Sequence, residues 1–229
     1  MRQICKVGIF FDSKNSINYK FFNKKSFLKK IKKKSKFKFI FTFKKALIHK
    51  CNIALLVGFT SKVNIKKKID YFTVHESALP KGKGHSPIKH QILMNRRIIT
   101  CCLIKLNKYI DGGDIVFKQK LKINKNDFFD QIKNKQMKIT QTLFAKLLNV
   151  YPKYKAIKQK GKSTFFPKLT EKDDQINPKK SLASQMNILR STNYFEHKNF
   201  LILGKKKFYI IVKKNNEANR TRKTNNKQF

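Results

Sequence analysis

The chain has 229 residues, 40% of them hydrophobic, and a formal net charge of +43. That length allows one full domain and a small appendage, and the 21 phenylalanines exclude a disordered polycation. The longest apolar run, around residues 53–59, is far short of the ~20 residues a membrane span needs, and the brief apolar opening is no signal peptide.

Residues 4–11 (ICKVGIFF) predict a buried strand, and mixed Phe and Lys predict a helical stretch to about residue 34. Second and third strands follow at 37–43 (FKFIFTF) and 52–59 (NIALLVGF), with a short fourth at 71–74 (YFTV). Near-continuous apolar strands separated by helical segments mark a parallel sheet covered on both faces. The fold class expected is α/β: a Rossmann-like, open, mainly parallel sheet with helices on both faces. Ser86 then Pro87 offers an N-cap and a first-turn proline for a helix. Residues 100–106 and 115–123 flank Asp111-Gly112-Gly113, a turn between two strands. From Asn126, a candidate N-cap, apolar positions keep helical spacing to Val150, and Pro152 ends that helix.

The expected organisation is a catalytic domain over 1–167, a polar linker over 168–180, a small helix-and-hairpin subdomain over 181–212 capped by Ser181, and a disordered basic tail over 213–229. Cys5, Cys51, Cys101 and Cys102 lack CxxC or Cys/His spacing, so they read as reduced core thiols of a cytoplasmic protein with no metal. Only six of the 55 basic residues are Arg, and the lysines run with abundant Ile, Asn and Phe, as A+T-rich codons would produce. Charge alone therefore assigns no partner.

Residues 73–87 (TVHESALPKGKGHSP) break this pattern. Pro80, Gly82, Gly84 and Pro87 concentrate there, and His75 follows the fourth strand directly. Ligands of open parallel sheets sit beyond the carboxyl ends of the strands, so His75 should stand at that rim. The alternative is a histidine that caps its own loop by bonding to backbone.

Together with YIDGGDIVFKQ at 109–119, this stretch resembles the formyltransferases that use 10-formyltetrahydrofolate. The group includes methionyl-tRNA formyltransferase and the N-formyltransferases of nucleotide-linked amino sugars, and the loop wording is nearer to the second branch. The shared pattern is Asn-x-His, Ser-x-Leu-Pro, a Gly-rich turn, Pro-Ile, and later Asp-x-Gly-Asp. His75, Ser77, Leu79, Pro80, Gly84, Pro87, Ile88, Asp111, Gly113 and Asp114 fall in that order.

The resemblance implies that His75 donates to the forming oxyanion or shuttles a proton, while Asp111 orients it and accepts the amine's proton. It places the pterin between the backbone near Leu56, Val57, Gly58, Phe59 and Thr60 and the loop carrying Asn107, Tyr109 and Ile110. Ser77 and Gly84 would shape the donor pocket's wall. Thr73 stands where the family has asparagine, whose amide helps hold the oxyanion, so one donor is altered. The partners implied are 10-formyltetrahydrofolate and a primary amine, first of all a nucleotide-linked amino sugar. The alternatives are initiator methionyl-tRNA and, without catalysis, RNA bound by a degenerate homologue. A homodimer fits this reading, and no membrane partner does.

Overall fold

A computed structural model describes residues 4–59 and 63–212; Thr60 and the tail expected from residue 213 lie outside the described residues. The chain begins with β1 (Cys5–Phe10), two short helices α1 (Ile17–Phe21) and α2 (Lys24–Lys29), and β2 (Phe37–Thr42). The single helical stretch expected here is broken at Phe22, whose backbone is extended. The Asn23 side chain then accepts the Ser26 amide at 2.9 Å and opens a second helix.

β3 (Ile53–Leu56) and β4 (Asp70–His75) follow, then β5 (Lys83–Gly84), α3 (Pro87–Leu93), and the long pair β6 (Ile98–Lys105) and β7 (Asp114–Lys122). α4 (Phe129–Val150), β8 (Phe165–Phe166), α5 (Met186–Ser191), β9 (Asn199–Leu203) and β10 (Lys206–Ile210) complete the chain. The central sheet has the order β2-β1-β3-β4-β6-β7. Its first four strands run parallel, while β6 is antiparallel to β4 and β7 to β6.

One sheet face carries Val7, Ile9, Ile53, Leu55, Phe72, Val74, Cys101 and Leu103. They pack against Ile132, Ile139, Leu143, Phe144, Leu147 and Leu148, the apolar stripe of α4. The opposite face has a shallower cover. There Phe10, Ala54, Leu56 and Tyr71 meet Ile48 of a 3-10 helix over Lys45–Lys50 and Cys51 just after it, and Leu79 packs on Cys102, Ile104 and Ile115. Burial pushes the Cys51, Cys101 and Cys102 thiols up, which keeps them protonated and unreactive.

One expected cap is replaced, and a second keeps its place without its side-chain bond. Asn126 does not open α4; Gln131 Oε1 accepts the Phe128 amide at 3.0 Å instead. Ser86 precedes α3 but has φ 45° and makes no side-chain cap bond. Ser181 accepts the Ser184 amide at 3.3 Å ahead of α5. In the 168–180 stretch Asp174 is buried, takes the Lys89 ammonium and the Thr192 hydroxyl, and so fastens the C-terminal segment to α3. β9 and β10 form an antiparallel hairpin around Gly204. No helix among the described residues is long and apolar enough to cross a membrane.

Candidate active site

Side chains alternate along β4. Tyr71, Thr73 and His75 therefore project onto the shallow face, and Phe72 and Val74 onto the α4 face. His75 is the last residue of β4 and is buried. Its Nε2 lies 2.8 Å from the Gly82 carbonyl oxygen. A carbonyl only accepts, so Nε2 carries the hydrogen and Nδ1 is the nitrogen left for other work. Nδ1 lies 3.5 Å from Asp111 Oδ1. One ring nitrogen thus closes the loop, and the other faces a carboxylate.

Asp111 reaches this place by an indirect route. Because β6 is antiparallel to β4, its end at Lys105 lies beside Phe72, three residues below His75. The turn from Leu106 to Gly113 folds over the shallow face to bring the carboxylate back. Leu106 packs on the clusters of both Leu56 and Leu79, which anchors the start of that turn. Asn107 then shapes it, accepting the Tyr109 amide at 3.0 Å and donating to the Gly112 carbonyl at 2.9 Å. Asp111 itself has φ 46°. Its Oδ2 accepts the Gly84 amide at 2.9 Å, so each carboxylate oxygen has its own partner.

Gly84 is needed for that contact. It has φ +96°, and an added Cβ would come 2.5 Å from the Phe166 carbonyl oxygen. Gly84→Ala should therefore destabilise the fold by about 2 kcal/mol or more, read as a lower midpoint in denaturant unfolding. An unchanged midpoint would show that the β5–β8 pairing is dispensable.

The other expected residues occupy distinct places. The Thr73 hydroxyl donates to the Leu56 carbonyl at 3.0 Å, so its one proton is committed to the backbone. Thr73→Val is expected to cost about 1 kcal/mol of stability and to leave kcat within roughly threefold. A much larger loss of kcat would return the hydroxyl to the reaction. Leu56 and Val57 are buried at the end of β3, and Gly58 follows with φ +58°. Phe59 packs on the cluster that also holds Leu106, so the two segments expected to flank a pterin border the same face. Lys45 Nζ stands 5.3 Å from the Phe59 ring centre.

Tyr109 and Ile110 project from the turn, 63% and 73% exposed. Ser77 is buried, its carbonyl accepts the Cys102 thiol, and its hydroxyl oxygen has no hydrogen-bond partner among the described residues. His90 is structural: it bonds the Pro167 carbonyl and stacks on Phe166 at 4.7 Å. A polar cleft of about 280 Å³ at the amino ends of β1, β3 and β4 holds Cys5, Asn52, Lys67, Lys68, Asp70 and Tyr151, none of them an expected site residue.

A segment the sequence did not single out braces the site. Thr164 Oγ1 accepts the Gly82 amide at 2.8 Å, and its carbonyl accepts the Lys83 amide at 2.9 Å. Gln159 Nε2 donates to the carbonyls of Asp111 at 2.6 Å and Gly113 at 2.8 Å. These partners lie 46 to 82 positions away along the chain, and no local periodicity announces them.

This arrangement, an imidazole and a carboxylate meeting over the ends of a mainly parallel sheet that closes with an antiparallel hairpin, sits on the fold of the formyltransferases. The methionyl-tRNA formyltransferase structure from Clostridium thermocellum superposes with TM-score 0.71 at 21% identity, covering 89% of this chain and 90% of that one. A 4-N formyltransferase from Francisella tularensis gives 0.64 at 20% identity, over 92% and 98% of the two chains. HypX from Aquifex aeolicus in complex with tetrahydrofolic acid gives 0.70 at 11% identity, over 90% of this chain and 37% of that one.

In sequence, methionyl-tRNA formyltransferase from Thermosipho melanesiensis is 24% identical over 139 residues, 61% of this chain and 46% of that protein. The enzyme of the same name from Buchnera aphidicola is 31% identical over 121 residues, 52% of this chain and 38% of that protein. The chain is a homologue of the formyltransferases. It spans less than half the length of these curated relatives. No family model matches it.

Proposed function

We propose that the chain transfers a formyl group from 10-formyltetrahydrofolate to a primary amine at His75 and Asp111. The observation that carries this reading is the 3.5 Å approach of His75 Nδ1 to Asp111 Oδ1 on the shallow face of the sheet. The donor supplies an activated formyl carbon on N10. Phe59, Tyr109 and Ile110 offer apolar surface around that place, which suits a flat pteridine.

An amine that attacks a formyl carbon must lose a proton, and the formyl oxygen gains charge as it does so. The Asp111 carboxylate can take the proton directly or through Nδ1; as the tetrahedral oxyanion collapses, the bond from the formyl carbon to N10 breaks and that proton passes to N10, so tetrahydrofolate leaves as the neutral amine. Its second oxygen is held by the Gly84 amide, so the carboxylate is fixed in place before substrate arrives. With Nε2 tied to the Gly82 carbonyl, the ring keeps one orientation, and a protonated Nδ1 can donate to the oxyanion. The Thr73 hydroxyl takes no part in this scheme.

The acceptor we favour is an amino sugar carried on a nucleotide, because the 73–87 loop wording resembles that branch. A second reading, the amino group of initiator methionyl-tRNA, is favoured by the names of the sequence relatives. Incubation with labelled 10-formyltetrahydrofolate and a panel of nucleotide-linked amino sugars and aminoacylated tRNA tests both. Label on a sugar supports the first, label on tRNA the second, and label on no amine removes the enzymatic reading.

A further inference from the structure

We propose that Gln159 is a positioning residue that sets the Asp111 carboxylate against His75, an inference that rests on the catalytic reading of that pair. Gln159 lies on a strap running from Ile157 to Pro167 across the top of the site. Ile157 exchanges backbone hydrogen bonds with Ile115 at 2.8 and 2.9 Å, which registers the strap on the start of β7. Two residues on, the Gln159 amide group divides its two hydrogens between the carbonyls of Asp111 and Gly113.

Fixing carbonyls on both sides of the glycine pair fixes the turn between them. That turn includes Asp111 in the left-handed region, a conformation few non-glycine residues adopt without support. Gln159 Oε1 is buried with no hydrogen-bond partner among the described residues. An unpaired buried acceptor is unfavourable, and a Met or Leu of similar size would avoid it. The residue is therefore suited to its two donated bonds rather than to filling space. Reversing the amide would set its oxygen against two carbonyls, so the hydrogen-bond pattern fixes its orientation.

The strap holds the other half of the site as well. Thr164 anchors Gly82, the residue whose carbonyl orients the His75 ring, and β8 pairs with β5 beside Gly84, whose amide holds Asp111. One segment thus sets both partners, and within it Gln159 is the side chain that bonds to the Asp111 turn, alongside Asn107 from the turn's own start.

Three variants decide the matter: Gln159→Leu, Asp111→Asn and the double variant. Gln159→Leu should lower kcat roughly tenfold while the KM for the formyl donor stays within about threefold, since the binding surfaces are untouched. In the Asp111→Asn background the same change should cost less than about threefold, because the carboxylate it positions is already gone. The ring ¹⁵N chemical shifts of His75, followed by NMR at one pH, should move in Gln159→Leu in the same direction as in Asp111→Asn, because both changes take the carboxylate from its place 3.5 Å from Nδ1.

Full multiplication of the two rate losses, or unmoved His75 ring shifts in Gln159→Leu, would overturn the proposal. If the Leu variant does not fold, Gln159→Met provides the same comparison with a more adaptable side chain. The ring spectrum needs no substrate. Should the native protein transfer no formyl group, the catalytic reading falls, and the NMR shift still decides whether Gln159 positions Asp111.

Discussion

His75→Ala is expected to reduce kcat for formyl transfer by roughly 10²- to 10⁴-fold, the range over which positioned proton-transfer groups act. The same change removes the hydrogen bond to the buried side of the loop and leaves the Gly82 carbonyl without its partner. Stability should therefore fall as well, by about 1–3 kcal/mol. His75→Gln separates the two effects. Its amide can reach a carbonyl but cannot both donate and carry a proton near neutral pH. The Gln variant should melt close to the native protein yet remain slow. If His75→Gln transfers formyl groups at the native rate, the imidazole has no chemical role and the loop-closing reading alone survives.

Asp111→Asn should cost roughly 10²- to 10⁴-fold in kcat, by loss of the charge that takes the proton and orients the ring. Little else should change. An asparagine oxygen can still accept the Gly84 amide, and the backbone carbonyl held by Gln159 is unaffected. Unfolding free energy should stay within about 1 kcal/mol of the native value. Single-turnover rates at saturating donor, with a melt on the same sample, make the comparison. A large stability loss with a normal rate in the folded fraction would turn Asp111 into a turn-forming residue only.

Much of the architecture is legible in local pattern. The run at 53–57 is continuously apolar because an inner parallel strand is buried on both faces, and β3 is buried at all four positions, whereas the edge strand β2 keeps Lys38 exposed. The stripe of α4 is legible because one face of a long helix packs against the sheet. What fails is what depends on single side chains. Asn23 divides one expected helix into two, and Gln131 replaces Asn126 at the start of α4.

β5 and β8 have two residues each, too few for any alternation to show, and their pairing is fixed by partners more than 80 positions apart. His75 is legible from the scarce glycines and prolines that follow it, whereas Asp111 is legible as more than a turn residue only through the resemblance of residues 109–119 to the formyltransferases. The antiparallel course of β6 was not legible, so neither was the fact that Asp111 must return over a sheet face rather than leave from a shared rim. Gln159 and Thr164 sit in a stretch with no periodicity and bond mainly to backbone, which leaves no compositional trace.

The late position of that strap has a consequence for how the protein matures. Synthesis proceeds from the amino end, and elements with nearby contacts close sooner than those joined over long separations. The four parallel strands can assemble while residues 159–167 are still inside the ribosome, but Gly82, Gly84 and Asp111 cannot be pinned until those residues emerge. A nascent chain halted before Gln159 would thus carry a formed sheet together with His75 and Asp111, yet lack the contacts that hold the two against each other.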